Sequence, residues 1–138
     1  MADRFTNPQR RKLMRSIRTQ DTAPEQLAKE FFHELGINFN QNDSRLPGTP
    51  DFFFPDANIA VFVHGCFWHG HDGCRKGTRR PKSNARFWNK KIEENKRRDR
   101  RKARQLWKCG ISVFTIWECD LKRKRIPVRL ISRLTDSC

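Results

Sequence analysis

A chain of 138 residues is one domain long and can bury roughly two thirds of the surface its unfolded form exposes, so a single core without disulfide staples is expected. Its 30 Lys and Arg against 15 Asp and Glu leave a net charge of +15, which points to a polyanionic partner; with no amphipathic apolar face, nucleic acid is favoured over an anionic membrane. Five cysteines, no leading signal peptide and no apolar run near the roughly 18 residues of a membrane span fit thiols in a soluble cytoplasmic protein.

The elements alternate along the chain without an internal repeat. Leu13, Met14 and Ile17 in PQRRKLMRSIRT (8–19) have helical spacing on a basic background, so a basic N-terminal helix within 1–20 is expected. TAPEQLAKEFFHELG follows, with a T-x-x-E start at Thr22 and Glu25 and a glycine stop at Gly36. In DFFFPDANIAVFVHG two apolar runs flank the turn PDAN, which predicts a strand pair with Asp51 at the start of the first strand. The segment from Cys66 to Ser83 has no apolar periodicity and reads as a loop or a small metal-ordered subdomain. Asn84 to Cys109 reads as a long basic helix ended by Gly110, ISVFTIW as a strand, and IPVRLISRL as a closing helix behind Pro127. Helices around a small mixed sheet make an α/β or α+β single domain over 1–138.

VHGCFWHGHDGC (63–74) is the chemically dense stretch, holding three of the four histidines. Cys66, His71 and Cys74 form C-x4-H-x2-C, three zinc-type ligands, and Cys119 after the last strand is a candidate fourth. A closed set of three Cys and one His is structural, because catalysis needs an open position. The competing reading makes these cysteines ordinary buried thiols; Cys109 and Cys138 are taken as a core thiol and a tail thiol. His64 and His69 fall outside the zinc set. Asp51 is a candidate Mg2+ ligand beside them, with a neutral histidine placed to take a proton from the attacking water. Taken alone, Asp51 also reads as a turn residue after Pro50; its conjunction with two histidines and a basic surface favours a site.

LPGTPDFFF, VFVHGCFWHGHDGC, FWNKKIEENKRRDR and TIWEC resemble the very-short-patch repair (Vsr) mismatch endonucleases in order, spacing and residue type, from Met14 to about Cys119. The resemblance implies a restriction-endonuclease-like fold, a structural zinc, and Mg2+-dependent nicking of duplex DNA on the 5′ side of the T in a G·T mismatch left by deamination of 5-methylcytosine. It implies Asp51 and the Val63 main-chain carbonyl as Mg2+ ligands, His69 as general base, His64 as a second active-site histidine, and Cys66, His71, Cys74 and Cys119 as zinc ligands. Phe67, Trp68 and Trp88 match aromatic wedges beside the mismatch, and Met14, Lys91 and Asn95 match residues contacting the mispaired bases. A monomer is expected, with mismatch-repair proteins and a DNA polymerase as downstream partners.

The chain departs from the family pattern at several points. Val63 stands where Thr is expected, and the segment before Cys74 is one residue longer. AVFVH occupies the place of the E-x-K signature of this nuclease fold, leaving the lysine's work to the histidines. Glu25 matches an acidic residue linked to the metal site, yet also completes a capping box with Thr22. Trp88 and Ile92 sit four apart and could both be core, whereas Asn95 and Asp99 continue the same face as polar residues. For Phe67 and Trp68 the alternative to a wedge is packing against the zinc loop. The basic runs at 75–80 and 96–104 are expected to contact phosphates. A zinc-ordered DNA-binding module without catalysis, or a nuclease for a different lesion, remain the alternatives.

Overall fold

The computed structural model describes residues 22–136, so Met14, the expected N-terminal helix and Cys138 lie outside the described residues. Helix α1 (Ala23–Glu34) starts where the sequence signals it: the Thr22 hydroxyl accepts the Glu25 amide at 3.4 Å, and Pro24 occupies the first turn. It ends at Gly36, whose φ of +69° is the left-handed conformation that glycine adopts without penalty. Glu25, Ala28 and Phe32 form its buried stripe.

A four-stranded sheet runs in the order β1 (Asn40–Gln41), β2 (Phe52–Phe54), β3 (Ile59–His64), β4 (Ser112–Trp117). β1–β2 and β2–β3 are antiparallel, and β3–β4 is parallel, with Ile59 opposite Ser112 and His64 opposite Trp117. The PDAN turn closes the β2–β3 hairpin as the sequence predicts. A parallel pair needs a long crossover, and helix α3 (Ala85–Lys108) supplies it, after the single turn α2 (Arg75–Thr78). Two further helices, α4 (Glu118–Lys122) and α5 (Val128–Asp136), close the chain.

β3 is buried along its whole length because both faces are covered. Ile59, Val61 and Val63 face a core with Phe32, Phe52, Phe54, Ile116, Leu130 and Leu134, while Ala60 and Phe62 face Leu106 and Ile111. The strand's period of two therefore puts His64 on the Ala60–Phe62 side, toward α3. Phe32 meets Phe54 edge-on at 4.8 Å and Phe52 at 5.2 Å, which locks α1 onto the hairpin that carries Asp51. The result is a mixed α/β domain of restriction-endonuclease-like type, with its chemistry at the carboxyl end of the parallel pair. No helix among the described residues is long and apolar enough to cross a membrane.

Candidate active site and metal centre

Asp51 directly precedes β2, and its Oδ2 accepts the Val63 amide at 2.6 Å. In extended backbone a residue's N–H and C=O point to the same edge, so the candidate ligand carbonyl of Val63 shares the strand edge whose amide meets Asp51. Burial raises the Asp51 pKa to about 8; the Val63 amide opposes this, and the hydrogen-bonded Glu25 carboxyl adds to it. Glu25 is 2% exposed. Thr22 thus caps the helix through its hydroxyl, and the Glu25 side chain reaches the site as a second carboxylate.

The two catalytic candidates His64 and His69 stack, with centroids 3.9 Å apart and planes 2° from parallel. Asp99 on α3 binds His69, its Oδ2 2.7 Å from His69 Nδ1, while its Oδ1 lies 3.8 Å from His64 Nε2, beyond hydrogen-bond reach. Hydrogen bonding at Nδ1 leaves His69 Nε2 as the ring's accepting nitrogen. Burial depresses His64 to a pKa of about 3, with the His69 and Lys102 charges adding to the effect and Asp99 opposing it, so its ring is neutral at physiological pH. Asp99 was legible only as a polar position on the inward face of the long helix, thirty residues from His69.

Cys66, His71, Cys74 and Cys119 converge with ligand atoms all within 4.8 Å of one another. Gly77 makes this possible: it is buried, and a Cβ there would collide with the His71 main chain, so α2 sits directly on the backbone of that ligand. Burial pushes the Cys66 thiol up to about 12, opposed by the Cys119 amide, which donates to its sulfur at 3.4 Å. Against the cost of burial, the Gly77 amide, the neighbouring Cys66 and Cys119 thiols and the Lys76 amide hold Cys74 below its ordinary value. Peptide N–H groups aimed at sulfur favour thiolates, and a compact Cys3His set fits a tetrahedral soft cation. Trp117, which the sequence did not single out, joins the two centres: it stacks on His71 at 4.1 Å and meets His64 edge-on at 5.3 Å.

Beside the Cys/His cluster, Phe67 and Trp68 are half-buried and pack at 5.6 Å on Trp88, which is 7% exposed. Trp88 is thus buried beneath the other two rings, and of the trio Phe67 and Trp68 reach the surface. Asn95 donates to the Trp68 carbonyl at 2.7 Å, and Lys91 lies half-buried one turn away. Cys109 corrects an expectation: α3 ends there and the chain turns at Gly110 (φ +79°), so the thiol is exposed rather than in the core.

The model of the family described as DNA mismatch endonuclease Vsr matches residues 2–76. The chain belongs to the Vsr DNA mismatch endonuclease family. The Type II nicking enzyme V.XorIIP of Xanthomonas oryzae is 45% identical over 88% of each chain. The Type II nicking enzyme V.NmeAIP of Neisseria meningitidis is 41% identical over 97% of this chain and 94% of its own. The DNA mismatch endonuclease Vsr of Escherichia coli is 39% identical over 88% of this chain and 77% of its own. Membership makes this chain a DNA endonuclease, and the family resemblance drawn from its motifs holds over most of its length.

Proposed function

We propose that this endonuclease is a Mg2+-dependent, zinc-containing enzyme that nicks duplex DNA 5′ of the mispaired T in a G·T mismatch. The observation that carries the chemistry is the Asp51–Glu25 carboxyl pair, tied through the Val63 amide to the next residue, His64, and so to the stacked pair that Asp99 anchors. Asp51, Glu25 and the Val63 carbonyl are oxygen donors suited to Mg2+. Mg2+ bound there supplies positive charge against the negative charge that builds on the scissile phosphate. His69 Nε2 takes the proton of the attacking water as the new P–O bond forms. The bond to the sugar oxygen breaks, and that oxygen takes a proton from solvent. Asp99 stabilises the imidazolium formed on His69, in the way a triad aspartate does, and a neutral His64 avoids opposing it.

Cys66, His71, Cys74 and Cys119 hold the structural zinc. Phe67 and Trp68 are the wedges that open the base step, at lower cost beside a mispair, with Trp88 beneath them; Lys91 and Asn95 stand on the adjacent face of α3. The names of the relatives support the substrate class. The test is incubation with a duplex holding one G·T mismatch and with its matched counterpart, with and without Mg2+, resolving the strands. Mg2+-dependent cutting of the T strand alone is expected; equal cutting of both duplexes would end the mismatch reading.

A further inference from the structure

The inward face of α3 runs Trp88, Ile92, Asn95, Asp99, Lys102, Leu106 at alternating spacings of four and three. Its ends are apolar and buried, Asn95 braces Trp68, and Asp99 holds His69. Lys102, one turn beyond Asp99, is half-buried on the same face. Its stem packs against the main chain of Gly48: a Cβ at that glycine would lie 2.8 Å from Lys102 Cβ and 2.7 Å from its Cγ. Its ammonium stands over the Phe62 ring, 5.9 Å from the centroid. Gly48 lies three residues before Asp51, and Phe62 lies two before His64. The two segments that deliver the reacting groups are thus the two that clamp this lysine.

Among the described residues the Lys102 ammonium has no hydrogen-bond or ion-pair partner, although other lysines such as Lys76, Lys96 and Lys122 are paired. Its place over Phe62 and against Gly48, one turn from Asp99, sets the charge between the two segments that end in His64 and Asp51. A partly desolvated cation with a fixed stem and free donors suits an anion that arrives from outside, and the anion that must arrive at Asp51 and His69 is a DNA phosphate.

We propose that Lys102 is a catalytic residue whose ammonium binds a non-bridging oxygen of the scissile phosphodiester. Helix α3 thereby supplies the cation that β3, reading AVFVH, lacks, so the histidines need not do the lysine's work. A preorganised donor in a partly dry site strengthens as the phosphate gains charge in the transition state, so it acts on rate more than on affinity. The inference rests on Asp51 and His69 being the reacting centre.

The test compares wild type, Lys102→Met and Lys102→Arg on G·T-mismatched, otherwise mismatched and matched duplexes. Nicking is measured under single turnover at saturating enzyme and Mg2+, on whichever duplex wild type cuts fastest. Binding is followed against salt with zinc retained and Mg2+ omitted. Lys102→Met keeps the stem, so its melting temperature should stay within about 2 °C of wild type while nicking slows on the order of 100-fold. The salt slope of binding should fall by about 1, and Lys102→Arg should recover part of the rate. A Lys102→Met rate within about threefold of wild type overturns the proposal. So does a slow Lys102→Met enzyme with an unchanged salt slope and no recovery by Arg, which is the pattern of a packing role. The ranking of the wild-type duplexes tests the mismatch reading separately.

Discussion

Asp51 and His64 push the metal-free protein's stability in opposite directions as pH changes. A carboxyl raised from 3.8 to about 8 keeps its proton in the folded state, so folding loses stability as pH rises through that window. A histidine lowered from 6.5 to about 3 stays neutral when folded, so folding loses stability as pH falls below 6.5. The two slopes offset each other in the overlap, and above pH 6.5 only the Asp51 slope remains. Asp51→Asn, which can still accept the Val63 amide, should therefore abolish nicking yet melt about 5 °C higher than wild type at pH 8 without Mg2+. Thermal scans with and without Mg2+ check this; a variant that still nicks would remove Asp51 from the reaction. Asp99→Ala should fold and keep zinc but slow single-turnover nicking on the order of 100-fold or more, because His69 loses both its orientation and its counter-charge. An Asp99→Ala rate equal to wild type would show that the 2.7 Å bond has no part in catalysis. Asp51, His64 and His69 were legible because local motifs carry them. Asp99 and Lys102 come from a remote helix, where the sequence shows only that an inward face turns polar, not which loop it meets.

Elements that bury a long apolar pattern were legible at their own scale: the β2–β3 hairpin, the α3 crossover, β4, and α5 all fall where periodicity and turn residues put them. α4 was not, because five residues directly after a strand carry too little periodicity to register, although this turn is what presents Cys119. The four candidate zinc ligands bring together the loop after β3, the N-terminus of α2 and the start of α4. Metal binding is coupled to folding in such a site, and Trp117 touches both His71 and His64, so it links the four residues to the candidate active site. Cys74→Ser should accordingly lose zinc by elemental analysis and destabilise the fold, and the fraction that remains folded should nick more slowly than its DNA binding alone explains. Zinc-free wild type with full activity and unchanged melting would refute a structural zinc at these four residues.

Across the whole molecule, a charge of +15 gives affinity for any duplex, and selectivity has to come from elsewhere. The exposed Arg75 and Arg79 in and after α2 and Arg97 and Arg100 of α3 are solvated cations of the kind that contact phosphates, which fix position without reading bases. Replacing two of them by Gln should weaken matched and mismatched duplexes alike and lower the salt slope by roughly 2. The Phe67–Trp68–Trp88 trio behaves differently because its members are not equally exposed. Trp88 is 7% exposed and its indole N–H has no partner among the described residues, so Trp88→Ala removes packing and should cost about 3 to 5 kcal/mol of stability. Trp68, half-buried at the surface of the trio, should lose far less stability on truncation. Its loss should fall on mismatched duplex, since a wedge gains most where the base step is already weak. Melting curves and binding to the two duplexes, measured on Trp68→Ala and Trp88→Ala side by side, separate the roles. If Trp68→Ala melts as early as Trp88→Ala and keeps its preference for the mismatch, Trp68 belongs to the core, and Phe67 is left as the surface wedge.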